Sequence, residues 1–155
     1  MEKLLEVITN QEKILIFNNF NSDIALELGL RLVEEGRILE EKITIDISKF
    51  NQQLFHFSFN NTSVDNDEWV RRKSNVVAHF YRSSLYIGTK LKLQNTTIED
   101  KYFLSSKDYS AYGGAFPIIL RDTGVIGVIT VSGLAQIDDH NLVVKVISEY
   151  LKKNI

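Results

Sequence analysis

The chain has 155 residues, with 18 Lys and Arg against 20 Asp and Glu, a formal charge of -2, a pI near 5.9 and no cysteine. So even a balance creates no field to gather a polyanion, which argues against nucleic acid or a charged membrane surface as partner. The lack of thiols excludes disulfides, thiolate zinc sites and a cysteine nucleophile. Hydrophobic residues at 44% and charged residues at 25% match an ordinary globular protein, and the length suits one core, so residues 1–155 are expected to form a single domain.

The first turns, Met1 to Ile8, set Leu4, Leu5 and Ile8 on one side and Glu2, Lys3 and Glu6 on the other, which reads as a short amphipathic helix. Acids among the apolar residues do not suit a signal peptide, and the longest apolar stretch, Val125 to Val131, is too short to span a bilayer, so a cytoplasmic location is expected. Ile14 to Phe17 reads as a buried strand. Asn21, Ser22 or Asp23 then caps a helix with Ile24, Leu28 and Leu32 on one face, and Gly36 is placed to end it.

Ile43, Ile45 and Ile47 alternate with Thr44, Asp46 and Ser48, and Phe55, Phe57 and Phe59 alternate with Leu54, His56 and Ser58. That is the period of two of half-buried strands, with residues 49–52 as the hairpin turn. A long helix from about Asp67 to Leu91 follows, with Asp65 and Glu68 as a capping box and Trp69, Val76, Phe80, Ile87 and Leu91 as its stripe. Residues 94–112 fit neither period, and irregular segments of that length are usually functional or interacting. Ala115 to Leu120 and Val125 to Ser132 read as strands joined at Arg121-Asp122-Thr123-Gly124, and a closing helix starts near a capping Asp138. The order α-β-α-β-β-α-β-β-α predicts an α/β (α+β) fold with a mostly antiparallel central sheet flanked by helices.

Two stretches carry a family signature. One is the run from Asp65 through Trp69, Arg71, Arg72 and Lys73 to Val77, continuing through Phe80 to Ser83-Ser84 and Gly88. The other runs from Asp108-Tyr109 through Gly113-Gly114-Ala115-Phe116-Pro117-Ile118, Gly124, Ile126-Gly127 and Val131-Ser132-Gly133-Leu134 to Asp139-His140 and Leu142. These resemble the haem-degrading-domain family, which includes GlcG-like and HbpS-like proteins and a large cytoplasmic branch without a settled activity. The resemblance implies a profilin-like fold, a homo-oligomer and haem as a possible cofactor. One departure is His79, where the branch is expected to carry an arginine before the phenylalanine.

Arg71, Arg72 and Lys73 open a helix against its dipole, which suits either a bound anion such as a carboxylate or propionate, or a solvated face neutralised by Asp67 and Glu68. Ser83, Ser84 and Gly88 suit close helix packing better than nucleophilic chemistry. Gly113 and Gly114 line an anion pocket or form a simple turn, with Tyr109, Tyr112 and Phe116 as an aromatic wall. Ser132, Gly133, Asp139 and His140 sit at a helix start, a place suited to an anion. A Ser132–His140–Asp139 triad is disfavoured, since an adjacent acid and base on one helix seldom face each other. His56, His79, His140 or a tyrosine is available as an axial haem ligand, and no histidine pair has zinc spacing.

The expected function is therefore binding of a small anionic ligand, haem being the named candidate, by Trp69, Arg71, Arg72, Lys73, Ser83, Ser84, Tyr109, Gly113, Gly114, Phe116, Ser132, Gly133, Asp139 and His140. The alternatives are a non-catalytic assembly or adaptor protein, working through residues 94–112, and an enzyme of unknown reaction.

Overall fold

The computed structural model describes residues 1–49 and 51–154. Helix α1 (Glu2–Ile14) leads through a short extended link to α2 (Ser22–Leu39), followed by β1 (Thr44–Lys49) and β2 (Gln52–Ser58). Then come α3 (Val64–Phe80), α4 (Ser84–Leu93), α5 (Ile98–Tyr102), the hairpin β3 (Ala115–Leu120) and β4 (Gly124–Ser132), and α6 (Gln136–Leu151). The strands form one sheet in the order β2-β1-β4-β3, and every neighbouring pair is antiparallel.

Alternation along the strands assigns the two faces. Ile45, Ile47, Phe116, Ile118, Ile129 and Val131 join Leu28 and Leu32 of α2 and Leu142, Val143, Val146 and Ile147 of α6 in the main core. The opposite face, bearing Thr44, Asp46, His56, Ser58 and Thr130, meets α3, where Ser74 Oγ lies 2.8 Å from Thr130 Oγ1. With helices on both sides, the polar Thr44 and Asp46 of β1 are buried as well. The antiparallel sheet flanked by helices is the fold class expected from the sequence.

Several element boundaries differ from the expectation. Residues 14–17 are not a strand: Ile14 completes α1, and Phe17 alone reaches the sheet, its N–H donating to Ile119 O and its carbonyl accepting from Arg121 N, both at 2.8 Å. A run of four apolar residues fits a buried link as well as a strand, and this one shields the outer edge of β3. Asn21 is the α2 cap, accepting from Ile24 N at 2.9 Å. Gly36 lies inside α2 and leaves room for Phe59 and Ile43, and the left-handed residue that ends the helix is Glu40. Of the 49–52 turn, Phe50 lies outside the described residues.

The long helix is two helices. Ser63 and Asn66 form the capping box of α3, in place of Asp65 and Glu68, and Tyr81 ends the helix in a left-handed conformation. Ser83 caps α4 by accepting from Tyr86 N, and Ser84 Oγ accepts from Ala115 N at 3.0 Å, tying α4 to β3. Serine competes with helical backbone bonds and favours caps, which is why the chain breaks here. Gly88 permits the Ala111 carbonyl to press on α4. The segment 94–112 contains α5, capped by Thr97. Asp138 is exposed and does not cap α6, whose N-cap is Ala135.

Candidate functional site: the groove between helix α3 and strands β1 and β2

The three cations of α3 diverge. Arg71 donates to Glu68 Oε2 (3.0 Å), Asp108 Oδ1 (3.1 Å) and the Lys107 carbonyl (2.9 Å), and the bonds to Glu68 and Asp108 raise its pKa. Arg72 lies 4.6 Å over the Trp69 ring, with a buried Nε that has no hydrogen-bond partner among the described residues. Lys73 turns inward to Asp139 Oδ2 at 2.9 Å and the Val131 carbonyl at 3.3 Å. Burial lowers the Lys73 pKa and raises that of Asp139, while their mutual attraction opposes both shifts.

Around this pair Trp69, Tyr112, Ser132, Gly133, Gln136 and Asp65 form a cleft of about 270 Å³. Gly114 lies beside the pair, since a Cβ there would stand 2.9 Å from Lys73 Nζ. Of the residues picked from sequence, Trp69, Lys73, Ser132, Gly133 and Asp139 thus line one cleft, with Gly114 at its edge. Gly113 is buried, its N–H donating to Gln136 Oε1 at 2.9 Å.

The others lie elsewhere. Ser83 is buried as the N-cap of α4, Ser84 is buried against Ala115 of β3, Phe116 is a core residue and Tyr109 meets the exposed His79 edge-on at 5.7 Å. The irregular segment is lashed to α3 within the same chain: besides the Arg71 contacts, Asn75 Nδ2 donates to the Asp108 carbonyl at 2.8 Å and Ser110 N to the Arg72 carbonyl at 3.1 Å.

His140 is buried, with Nε2 2.8 Å from Gln11 Oε1 and its ring 5.8 Å from that of Phe116. Its hydrogen-bond partner is thus on α1. Burial lowers its pKa to about 4. An unfolded histidine titrates near about 6.5, so between these values the unfolded chain binds the proton that the folded chain refuses. The stability from this site is complete above the unfolded value and falls as pH drops toward about 4. Urea midpoints at pH 7 and pH 4.5 are expected to differ by less in His140→Gln than in the parent chain; an equal difference would show that His140 does not carry the acid sensitivity.

The larger concavity lies between α3 and the outer face of β2, β1 and β4. It has a volume of about 730 Å³ and is lined by Asp46, Ser48, Gln53, His56, Asp67 and Arg71, with Val70, Ala78, Val125 and Val128 as its apolar wall. The β1–β2 register sets Asp46 opposite His56 and Thr44 opposite Ser58. His56 Nδ1 lies 2.8 Å from Asp46 Oδ2, and its Nε2 lies 3.0 Å from Asp67 Oδ1. Ser48 Oγ and Gln53 Nε2 also donate to Asp46, each at 2.6 Å.

The two carboxylates approach opposite nitrogens of the ring and so do not converge on one metal ion. No group of three or more His, Asp or Glu residues suited to a metal is present among the described residues. Asp46 holds the imidazole through Nδ1 and Asp67 faces its Nε2 from α3, and all three side chains line the groove. Sequence reasoning counted His56 only among the histidines available to haem and left it out of the site. Two signals for it were there: the strand alternation that puts His56 on the polar face, and the hairpin that brings it to Asp46.

Comparison with known proteins bears on what such a groove serves. The pattern of the family described as haem degrading protein HbpS-like matches residues 20–148. This chain belongs to that family. Its relatives include a UPF0303 protein of Paraburkholderia phymatum, 46% identical over 147 residues that make up 95% of this chain and 89% of the relative. The crystal structure of the Ybr137w protein superposes with a TM-score of 0.89 at 31% identity, covering 96% of this chain and 87% of that one. The structure of a PduOC:heme complex shares the fold, with a TM-score of 0.70 at 14% identity over 83% of this HbpS-like chain and 93% of its own. No helix among the described residues of this family member is long and apolar enough to cross a membrane.

Proposed function

We propose that this HbpS-like chain is a cytoplasmic, homo-oligomeric small-ligand-binding protein that takes haem in the groove between α3 and strands β1 and β2. The observation that carries the reading is His56 in the groove lining, held through Nδ1 by the buried Asp46 while its Nε2 faces the more exposed Asp67. Histidines that ligate metals commonly donate their second ring N–H to a carboxylate, which fixes the tautomer and strengthens the donor nitrogen. The wall of Val70, Ala78, Val125 and Val128 suits the face of a macrocycle, and Arg71 at the rim has a half-exposed guanidinium suited to a propionate. Haem would supply redox chemistry at its iron; Asp46, Ser48 and Gln53 would orient the imidazole.

Volume favours this groove over the cleft at Lys73. Small-molecule sites usually enclose about 300–1,000 Å³, a range that includes the groove at 730 Å³ and lies above the cleft at 270 Å³. The haem complex of PduOC adds support from a protein of the same fold. Homo-oligomer formation draws support from Leu26, Leu30 and Ile38, which α2 exposes to solvent.

Titrating the protein with haemin is expected to give a saturable Soret shift that survives in His79→Ala and His140→Ala and is lost in His56→Ala. No saturable shift in the parent chain, or an undiminished one in His56→Ala, overturns the reading.

A further inference from the structure

The two acids that flank His56 are not equivalent. Asp46 is 9% exposed in its side chain and is held by Ser48, Gln53 and the imidazole together. Asp67, in the first turns of α3, is 41% exposed and, among the described residues, is held by His56 Nε2 at 3.0 Å and Ser58 Oγ at 3.1 Å. Water can take over the charge of Asp67 at small cost, whereas releasing Asp46 would strand a buried carboxylate. The imidazole is thus fixed on one side and reversibly held on the other. The nitrogen that Asp67 engages is the one the groove would offer to a ligand.

We propose that Asp67 is a positioning residue that competes with groove ligands for Nε2 of His56, so that engagement of this nitrogen requires the α3 carboxylate to let go. Ser58 is its accomplice: the hydroxyl shares Asp67 Oδ1 with the imidazole and keeps the carboxylate over the ring. The inference rests on the groove being the binding site, but the competition is a property of the side chains and has a readout that needs no haem. It also predicts an effect of unusual sign, since removing a polar contact of the site strengthens binding there.

The test pairs haemin with diethylpyrocarbonate, which acylates accessible imidazole nitrogens. Asp67→Ala is expected to tighten haemin binding about tenfold, the scale of one hydrogen bond to a charged group, and Ser58→Ala to tighten it less. Asp46→Ala is expected to weaken it. Acylation of His56, located by peptide mass spectrometry and normalised to the exposed His79, should rise severalfold in Asp67→Ala. Unchanged or weaker haemin binding in Asp67→Ala, with His56→Ala abolishing the signal, overturns the proposal. Should the parent chain bind no haemin, the haem reading falls and acylation alone decides: a rise in Asp67→Ala supports the competition, and an unchanged rate overturns it.

Discussion

Truncating Lys73 to alanine is expected to cost about 3–5 kcal/mol of folding stability, the usual penalty for leaving one member of a buried ion pair alone. Its partner Asp139 is 1% exposed and, among the described residues, has no other cation within salt-bridge distance. Besides Lys73, Asp139 receives only backbone N–H groups, including that of Leu134 at 3.0 Å.

The pH dependence follows from the direction of the Asp139 shift. Burial already raises its pKa, and removing Lys73 removes the attraction that held it down. A carboxyl that binds protons more readily when folded loses stability as pH rises through its folded value, because ionisation then takes place in the interior. The deficit of Lys73→Ala relative to the parent should therefore be largest at neutral pH and shrink in acid. Urea unfolding of both proteins at pH 7 and pH 5 measures it. A deficit under about 1 kcal/mol, well below the buried-pair range, or one that grows in acid, would show that the pair is not buried as described.

Gly114→Ala is expected to be nearly as damaging, at about 2–5 kcal/mol, because conformational strain and overpacking add at one position. Gly114 has a φ of 135°, a region that L side chains rarely adopt, and a Cβ there would press on the Val131 carbonyl, Lys73 Nζ and Asp139 Cβ. Gly124 makes the comparison clean: its φ of 108° is also positive, yet nothing stands within 4 Å of a Cβ at that site. Gly124→Ala should therefore show the strain alone, about 1–3 kcal/mol. Equal losses in thermal or urea unfolding of the two variants would mean that close packing around the Lys73–Asp139 pair contributes nothing.

His56 and Lys73 show why the site was only partly legible from sequence. Alternation along residues 54–59 put His56 on the polar face of its strand, but its value as a site depends on Asp46 across the hairpin and Asp67 on α3. The Arg71-Arg72-Lys73 run looked like one basic patch because the adjacent residues share a charge. On a helix they point about 100° apart, so one meets Asp108, one stacks on Trp69 and one enters the interior. The Ser83-Ser84 pair misled for a related reason: in one dimension it resembles a small-residue face, and only the αL residue Tyr81 shows that the helix has already ended.

By itself the sequence determined the features written in local periodicity and in shared motifs: the strand alternation, the closing amphipathic helix, the β3–β4 hairpin and membership of the haem-degrading HbpS-like family. These depend on side chains two to four residues apart, so a linear reading captures them. The tertiary structure alone decided which charges pair and which histidine faces a groove. Lys73 and Asp139 lie 66 residues apart, His140 and Gln11 129 apart, and Asp46 and His56 meet only through the strand register. Such pairings are set by packing and burial among elements distant along the chain, and no periodicity encodes them.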